Sequence, residues 1–210
     1  MKKLLILTVV ATFVGAPLAQ ENNDCMKEEI LNDHNAVIAC LEKGGNPNTV
    51  YNTLDGKGDS GRTPLLAAIR NGNIQVAHAL INAGADVNAQ SHDGYTALHI
   101  AAQNDKLLAI IRALIATGAN PNIANNNGNT PLLMAVKAGD IRISRILIDV
   151  GSDVNIPYLS GDTALHLAAK NRHLWPLVNP LIAAGADPNI ANGGVTPLHL
   201  AAERRYPKNG

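Results

Sequence analysis

Residues 96–122 read TALHIAAQNDKLLAIIRALIATGANPN, and this stretch decides the fold. Thr96 offers a hydroxyl that caps a helix start. "LHIAAQN" then predicts a short helix in which Ala101 and Ala102 allow neighbours to approach closely. Asn104-Asp105 is a polar break. "LLAIIRALIATG" places apolar residues at helical spacing and stops at Gly118, the favoured left-handed residue after a helix. Beyond it, "ANPNIANNNGN" supplies turn residues for a hairpin-like connection. Two short helices joined this way cannot bury an apolar face alone, so the unit needs neighbours of its own kind.

Those neighbours are present. Thr-Pro/Ala-Leu recurs at Thr63, Thr96, Thr130, Thr163 and Thr196, at intervals of 33, 34, 33 and 33 residues. In three copies Pro64, Pro131 and Pro197 occupy the first helical position, where no amide partner is lost. A second marker, Gly84-Ala85-Asp86-Val87-Asn88, returns at Gly118, Gly151 and Gly185 in the same phase. Two markers in phase over four periods identify a repeat architecture.

Composition agrees with such an array. Hydrophobic residues make up 46 % of the 210, but aromatics only 3 %, so the core is built from Ala, Leu, Ile and Val. The 24 asparagines point to turns and helix caps. Formal net charge is zero, which removes any bulk electrostatic reason to expect nucleic acid.

With T-P-L-H-x-A at the first helix and G-A-D-x-N after the second, the sequence resembles the ankyrin repeat family over roughly residues 23–206. The resemblance implies an all-α solenoid of helix–turn–helix units with hairpin-like connecting loops. It further implies that hairpin tips and first helices line a concave face, and that such proteins bind other proteins without chemistry of their own. His99, His166 and His199 match the family's histidine that bridges neighbouring turns by hydrogen bonds, which makes them structural.

Domain boundaries follow the register. Residues 1–19 read as a secretory signal peptide: Lys2 and Lys3, an apolar run from Leu4 to Gly15, then small residues. The twelve-residue run would span about 18 Å, short of the roughly 30 Å of hydrocarbon that a membrane anchor must cross. The chain is therefore expected to be exported and bacterial, periplasmic or extracellular, with no membrane association after cleavage. Residues 20–48 form an amino-terminal capping unit whose polar first helix is expected over "MKEEILND". Residues 49–62 form an enlarged connection, residues 63–195 four repeats, and residues 196–210 a truncated half-repeat, expected to fray and to support weak self-association.

The enlarged connection contains "GKGDSGR", which invites three chemical readings. A serine nucleophile would need a partnered His and Asp that the helical repeat does not provide. A phosphate loop needs Gly-Lys-Ser/Thr, whereas Lys57 precedes Gly58. A calcium loop needs an acidic twelfth position, which is Leu66. Seven residues separate Asn88 from Thr96 but fourteen separate Asn48 from Thr63, so the segment is an ordinary connection with an insertion. An enlarged finger of this kind is also a candidate contact element.

Cys25 and Cys40 are the only cysteines. Counted back from Gly44, they occupy the core positions that Leu65 and Leu80 hold in the next unit. Two buried free thiols acting as small hydrophobes would fit there. Export and an even count favour a disulfide instead.

No catalytic residue, metal site or cofactor is expected. Candidate contacts with a protein partner are the variable positions around the framework: His92, Tyr95, Asn125, Asn127, Asn129, Tyr158, Leu159 and Asp162 at the tips, with Lys137 and Lys170 on first helices. Tyr95 and Tyr158 are the expected anchors, since exposed Tyr is enriched at binding hot spots. The function expected is that of an exported interaction module. The alternatives are a secreted effector acting on a host-cell protein and a periplasmic immunity protein that neutralises a toxic effector.

Overall fold

A computed structural model describes residues 25–50 and 61–205. The proposed signal peptide and most of the enlarged connection lie outside the described residues. Within them the chain is helical, without strands; an isolated β-bridge joins Asn192 and Val195.

Helix pairs follow the repeat register. The first unit has a 3-10 helix Glu28–Asn32 and α1 His34–Glu42. Then come α2 Pro64–Arg70 with α3 Ile74–Asn82, and α4 Ala97–Ala101 with α5 Leu108–Ala116. The fourth pair is α6 Pro131–Ala138 with α7 Ile141–Asp149, the fifth α8 Ala164–Lys170 with α9 Val178–Ala183. Last is α10 Pro197–Arg205. First helices stack on one another in the order α2, α4, α6, α8, α10, and α2, α4, α6 and α8 each rest on their own unit's second helix or the segment leading into it.

Local chemistry explains the boundaries. The Thr63 and Thr130 hydroxyls accept hydrogen bonds from the N–H of Leu66 and Leu133, with Pro64 and Pro131 opening the helices. Asn73 and Asp140 cap α3 and α7 through the N–H of Val76 and Ile143. Gly118, after α5, has φ 91°, a conformation that a side chain would strain, and its N–H returns to Ile115 O.

Two helices depart from the sequence expectation. The capping unit's first helix is a five-residue 3-10 turn, because Asp33 is already the cap of α1 and the Lys27 N–H folds back on Cys25 O. The fifth unit reaches α9 through a 3-10 helix, Arg172–Leu177, that contains Pro176, so α9 keeps only six residues against nine in α3, α5 and α7.

One apolar core runs the length of the array. Leu80, Leu114, Leu147 and Leu181 are fully buried at equivalent positions of successive second helices. In α2, all six residues from Pro64 to Ile69 are buried, because a first helix is enclosed by its own partner and by both neighbouring units. Ala101, Ala102, Ala135 and Ala168 have essentially no exposure, consistent with closely approaching backbones. At the amino-terminal end Cys25 and Cys40 form a disulfide that joins the segment before the 3-10 turn to α1, with Met26 and Leu31 buried beside it.

Candidate functional site

The connections between units are hairpin turns closed by backbone bonds, the first three at matching positions and the last one residue tighter. Ser91 N donates to Tyr95 O (2.9 Å), Asn125 N to Asn129 O (2.9 Å), Tyr158 N to Asp162 O (2.8 Å) and Asn192 N to Val195 O (2.9 Å). Successive tips are also tied to each other. Asn126 donates from its backbone N to Asp93 O (3.1 Å) and from Nδ2 to His92 O (3.0 Å). A Cβ at Gly94 would lie 2.7 Å from Asn126 Oδ1, so this contact requires glycine. A Cβ at Gly61, where the enlarged connection re-enters the described residues, would lie 3.1 Å from the His92 backbone N.

Between the tips and the first helices lies a groove. Its central cleft, about 460 Å³, is lined by Tyr95 and Gln103 on one side and by Lys137 and Tyr158 on the other, with Asn127 and Met134 between. Tyr95 and Gln103 also border a second cleft of about 390 Å³ that extends to Arg70 and Ile100. The Tyr95 ring stands edge-on to His99 with centroids 5.7 Å apart, and Lys137 Nζ lies 4.0 Å above the centre of the Tyr158 ring.

Beneath this groove the turn histidines are locked. The Thr96 N–H donates to His99 Nδ1 (3.1 Å), so the neutral ring carries its proton on Nε2 and donates it to Asn129 O of the next turn (2.8 Å). Burial lowers the His99 pKa, and the bond to Asn129 opposes that only in part. His166 repeats the arrangement on Thr163 and Val195 O.

Three of the proposed contact residues are buried. Asn125 and Asn129 are each 4 % exposed and Asp162 is 8 % exposed, although Asn129 still borders the central cleft. Asn125 Oδ1 instead accepts from the N–H of Asn127 and Asn129, which shapes its own turn. Asp162 holds Lys170 Nζ at 2.6 Å and Asn192 Nδ2 at 3.0 Å. Burial works against ionisation of Asp162, but Lys170 and Asn192 outweigh it and keep the carboxyl below its ordinary value. Lys170 is therefore committed within the chain. His92, Asn127, Leu159 and Lys137 are exposed, and Tyr95 and Tyr158 are half-buried at the cleft. No group of three or more His, Cys, Asp or Glu among the described residues could hold a metal ion, and none of their helices is long and apolar enough to cross a membrane.

Comparison with known proteins now decides the family. The family model described as "Ankyrin repeats (3 copies)" matches residues 18–123, 83–158, 108–192 and 153–209. The chain belongs to the ankyrin repeat family. Among curated relatives, the chicken (Gallus gallus) nuclear factor NF-kappa-B p105 subunit is 34 % identical over 77 % of this chain and 17 % of its own length. The human (Homo sapiens) SH3 and multiple ankyrin repeat domains protein 2 is 34 % identical over 69 % of this chain and 8 % of its own. The mouse (Mus musculus) B-cell lymphoma 3 protein homolog is 33 % identical over 48 % of this chain and 21 % of its own. The chain thus spans less than a quarter of the length of these relatives.

Ankyrin arrays of this kind are generally binding scaffolds for other proteins. In this one, the sequence reading missed a bonded ladder opposite the tips. The Asn that closes the Gly-Ala-Asp-x-Asn marker position reaches into the following unit at Asn48, Asn88, Asn122 and Asn155. Asn88 Oδ1 accepts from Asn120 N (2.7 Å) while Nδ2 donates to Gly118 O (3.1 Å). Asn48, Asn122 and Asn155 accept in the same way from the backbone of Asp86, Asp153 and Asp187. The signal was the period itself, since an Asn fixed at one phase while its surroundings vary is bonded to something that also repeats.

Proposed function

We propose that this ankyrin array is an exported protein-interaction module that binds one protein partner through the groove between hairpin tips and first helices. The observation that carries the reading is the cleft of about 460 Å³ in which Tyr95 and Tyr158 face each other across Gln103 and Lys137. Half-buried tyrosines offer large, semi-rigid contact area at low entropic cost, the usual character of interface anchors. Export is supported by the composition of residues 1–19 and by the Cys25–Cys40 disulfide, a bond that persists in oxidising compartments. The periplasm is the location proposed, with the partner there. An immunity protein against a toxic effector fits the same site, and a secreted effector with a host-cell target is the alternative.

Affinity capture with the mature chain, followed by mass spectrometry, identifies the partner. Tyr95→Ala combined with Tyr158→Ala should weaken that capture by at least about 2 kcal/mol with little change in melting temperature. Equal capture by the double variant would move the site elsewhere. Fractionation decides between the locations: mature chain in the periplasm supports the module, and mature chain outside the cell supports the effector.

Weak self-association is a second, separate reading, favoured by one observation. Trp175, Ile182 and Leu198 are 47 %, 45 % and 73 % exposed around an apolar cleft of about 380 Å³ between α8, α9 and α10. Sedimentation velocity over a wide concentration range tests it, and a strictly monomeric profile would remove it.

A further inference from the structure

The groove has a sign. The seventh residue after the capping threonines is Arg70, Gln103, Lys137, Lys170 and, in the last half-unit, Glu203, and of these Arg70, Gln103 and Lys137 line the two clefts just described. Among the described residues, Arg70 and Lys137 are the charged ones that line the two clefts, on a chain whose formal net charge is zero. No described Asp or Glu lines either cleft: Asp162 at its tip is taken by Lys170, and Asp105 and Asp140 border a separate cleft with Arg142 and His173.

Lys170 is matched by Asp162. Lys137 is not: it is exposed, and its charge rests on the face of the Tyr158 ring rather than on a carboxylate. A ring face holds an ammonium in place without neutralising it. Lys137 is thus positioned by Tyr158 and still able to pair with a carboxylate. The arrangement is a fixed cation at the wall of a cleft whose other wall is Tyr95.

Resting on the groove being the partner site, we propose that its occupant is an extended acidic segment of a protein, with a carboxylate on Lys137 and an aromatic or aliphatic side chain between Tyr95 and Tyr158. Oppositely charged surfaces speed encounter and fix register, and Lys137 marks where that register is set. A nucleic acid is the poorer fit. Phosphate recognition gains its affinity from many cations acting together, whereas Lys137 is the one charged side chain among the described residues that lines the central cleft.

The test selects short random peptides on the mature chain and compares their binding to Tyr95→Ala/Tyr158→Ala and to Lys137→Glu. Lys137 is exposed, so circular dichroism should show the reversal variant folded as the parent. Peptides released by the tyrosine pair should carry net negative charge, and Lys137→Glu should weaken them by about tenfold or more, with added salt acting in the same direction. Peptides released by the tyrosine pair but indifferent to Lys137→Glu would overturn the acidic segment and leave the groove standing. Peptides indifferent to both variants would overturn both readings, and so would a selection that enriches nothing. Binding of a single-stranded oligothymidine that is lost in Lys137→Glu would assign the groove to phosphates instead.

Discussion

Leu98 and Leu198 hold the same place in the same motif, two residues after a capping threonine, yet one is 1 % exposed and the other 73 %. Local chemistry does not distinguish them. Thr96 N donates to His99 Nδ1 at 3.1 Å, and Thr196 N donates to His199 Nδ1 at 3.1 Å. The difference is what lies beyond. α4 is stacked between α2 and α6, whereas α10 packs on α8 with no further helix among the described residues. The same contrast appears on the second helices, where Ile81 and Ile148 are 7 % exposed and Ile182 is 45 %. A motif makes its own helix and cap, but burial is supplied by the next unit, and most stability resides in those interfaces.

The largest expected effect comes from truncating the two leucines. Leu98→Ala should cost about 2–5 kcal/mol of unfolding free energy, the range for a buried leucine. Leu198→Ala should stay within about 0.5 kcal/mol, as exposed sites do. Urea titration followed by circular dichroism measures both, and comparable losses would break the comparison.

Next is the amino-terminal unit, which packs on one neighbouring unit among the described residues but is stapled. Cys25→Ala should cost about 3 kcal/mol, since the Cys25–Cys40 separation is 15 residues. Hydrogen exchange should quicken in α1 and hardly change in α6 and α7. A uniform change along the array would show that the units do not depend mainly on their neighbours.

A smaller effect is expected at the carboxy-terminal end. Trp175 is the only tryptophan and lies there with the Arg172 guanidinium 5.2 Å from its ring centre. Its fluorescence should report unfolding before the circular dichroism signal does, by a midpoint difference worth about 1 kcal/mol. Amides of residues 174–205 should likewise exchange faster than those of residues 96–155. Coincident transitions and uniform protection would show the end to be as firmly held as the centre.

The smallest effect concerns pH. The folded pKa of His99 lies below its ordinary 6.5, so the unfolded chain takes up its proton first as pH falls. His99 therefore contributes stability that is complete above pH 6.5 and is lost as the medium is acidified through the folded value. His99→Leu, the residue type found at this position in Leu66 and Leu133, should flatten that part of the profile. Losing the cap bond to Thr96 should cost about 1 kcal/mol at neutral pH. An unchanged slope in the variant would mean that His99 is not the group titrating.

How much of this was legible in the sequence depends on the range of the interaction. Helix starts at Thr63, Thr130 and Thr163, helix ends at Gly118 and Gly151, and the stacking order all follow from residues within one period. The groove was legible as a face, because Tyr95, Lys137 and Tyr158 vary where the framework does not. Its internal assignments were not. Asn125 and Asp162 read as tip residues, and only their packing shows that one folds onto its own turn while the other is held between Lys170 and Asn192. The 3-10 turn at Glu28–Asn32 escaped for the opposite reason: a helix-like composition was overruled by Asp33 serving the next helix.

The asparagine ladder sets a rule for how such a chain can change length. Asn88 hydrogen-bonds the following unit at the Gly118 carbonyl and the Asn120 amide, main-chain groups that any residue type except proline, which lacks the N–H, would supply. His99 likewise reaches its neighbour through the Asn129 carbonyl. These joints read the main chain and are blind to side-chain identity, so one unit accepts another in its place wherever the phase is kept. Duplication or loss of a whole period preserves them, while an insertion of any other length must be looped out between them, which is where the extra residues between Asn48 and Thr63 are found.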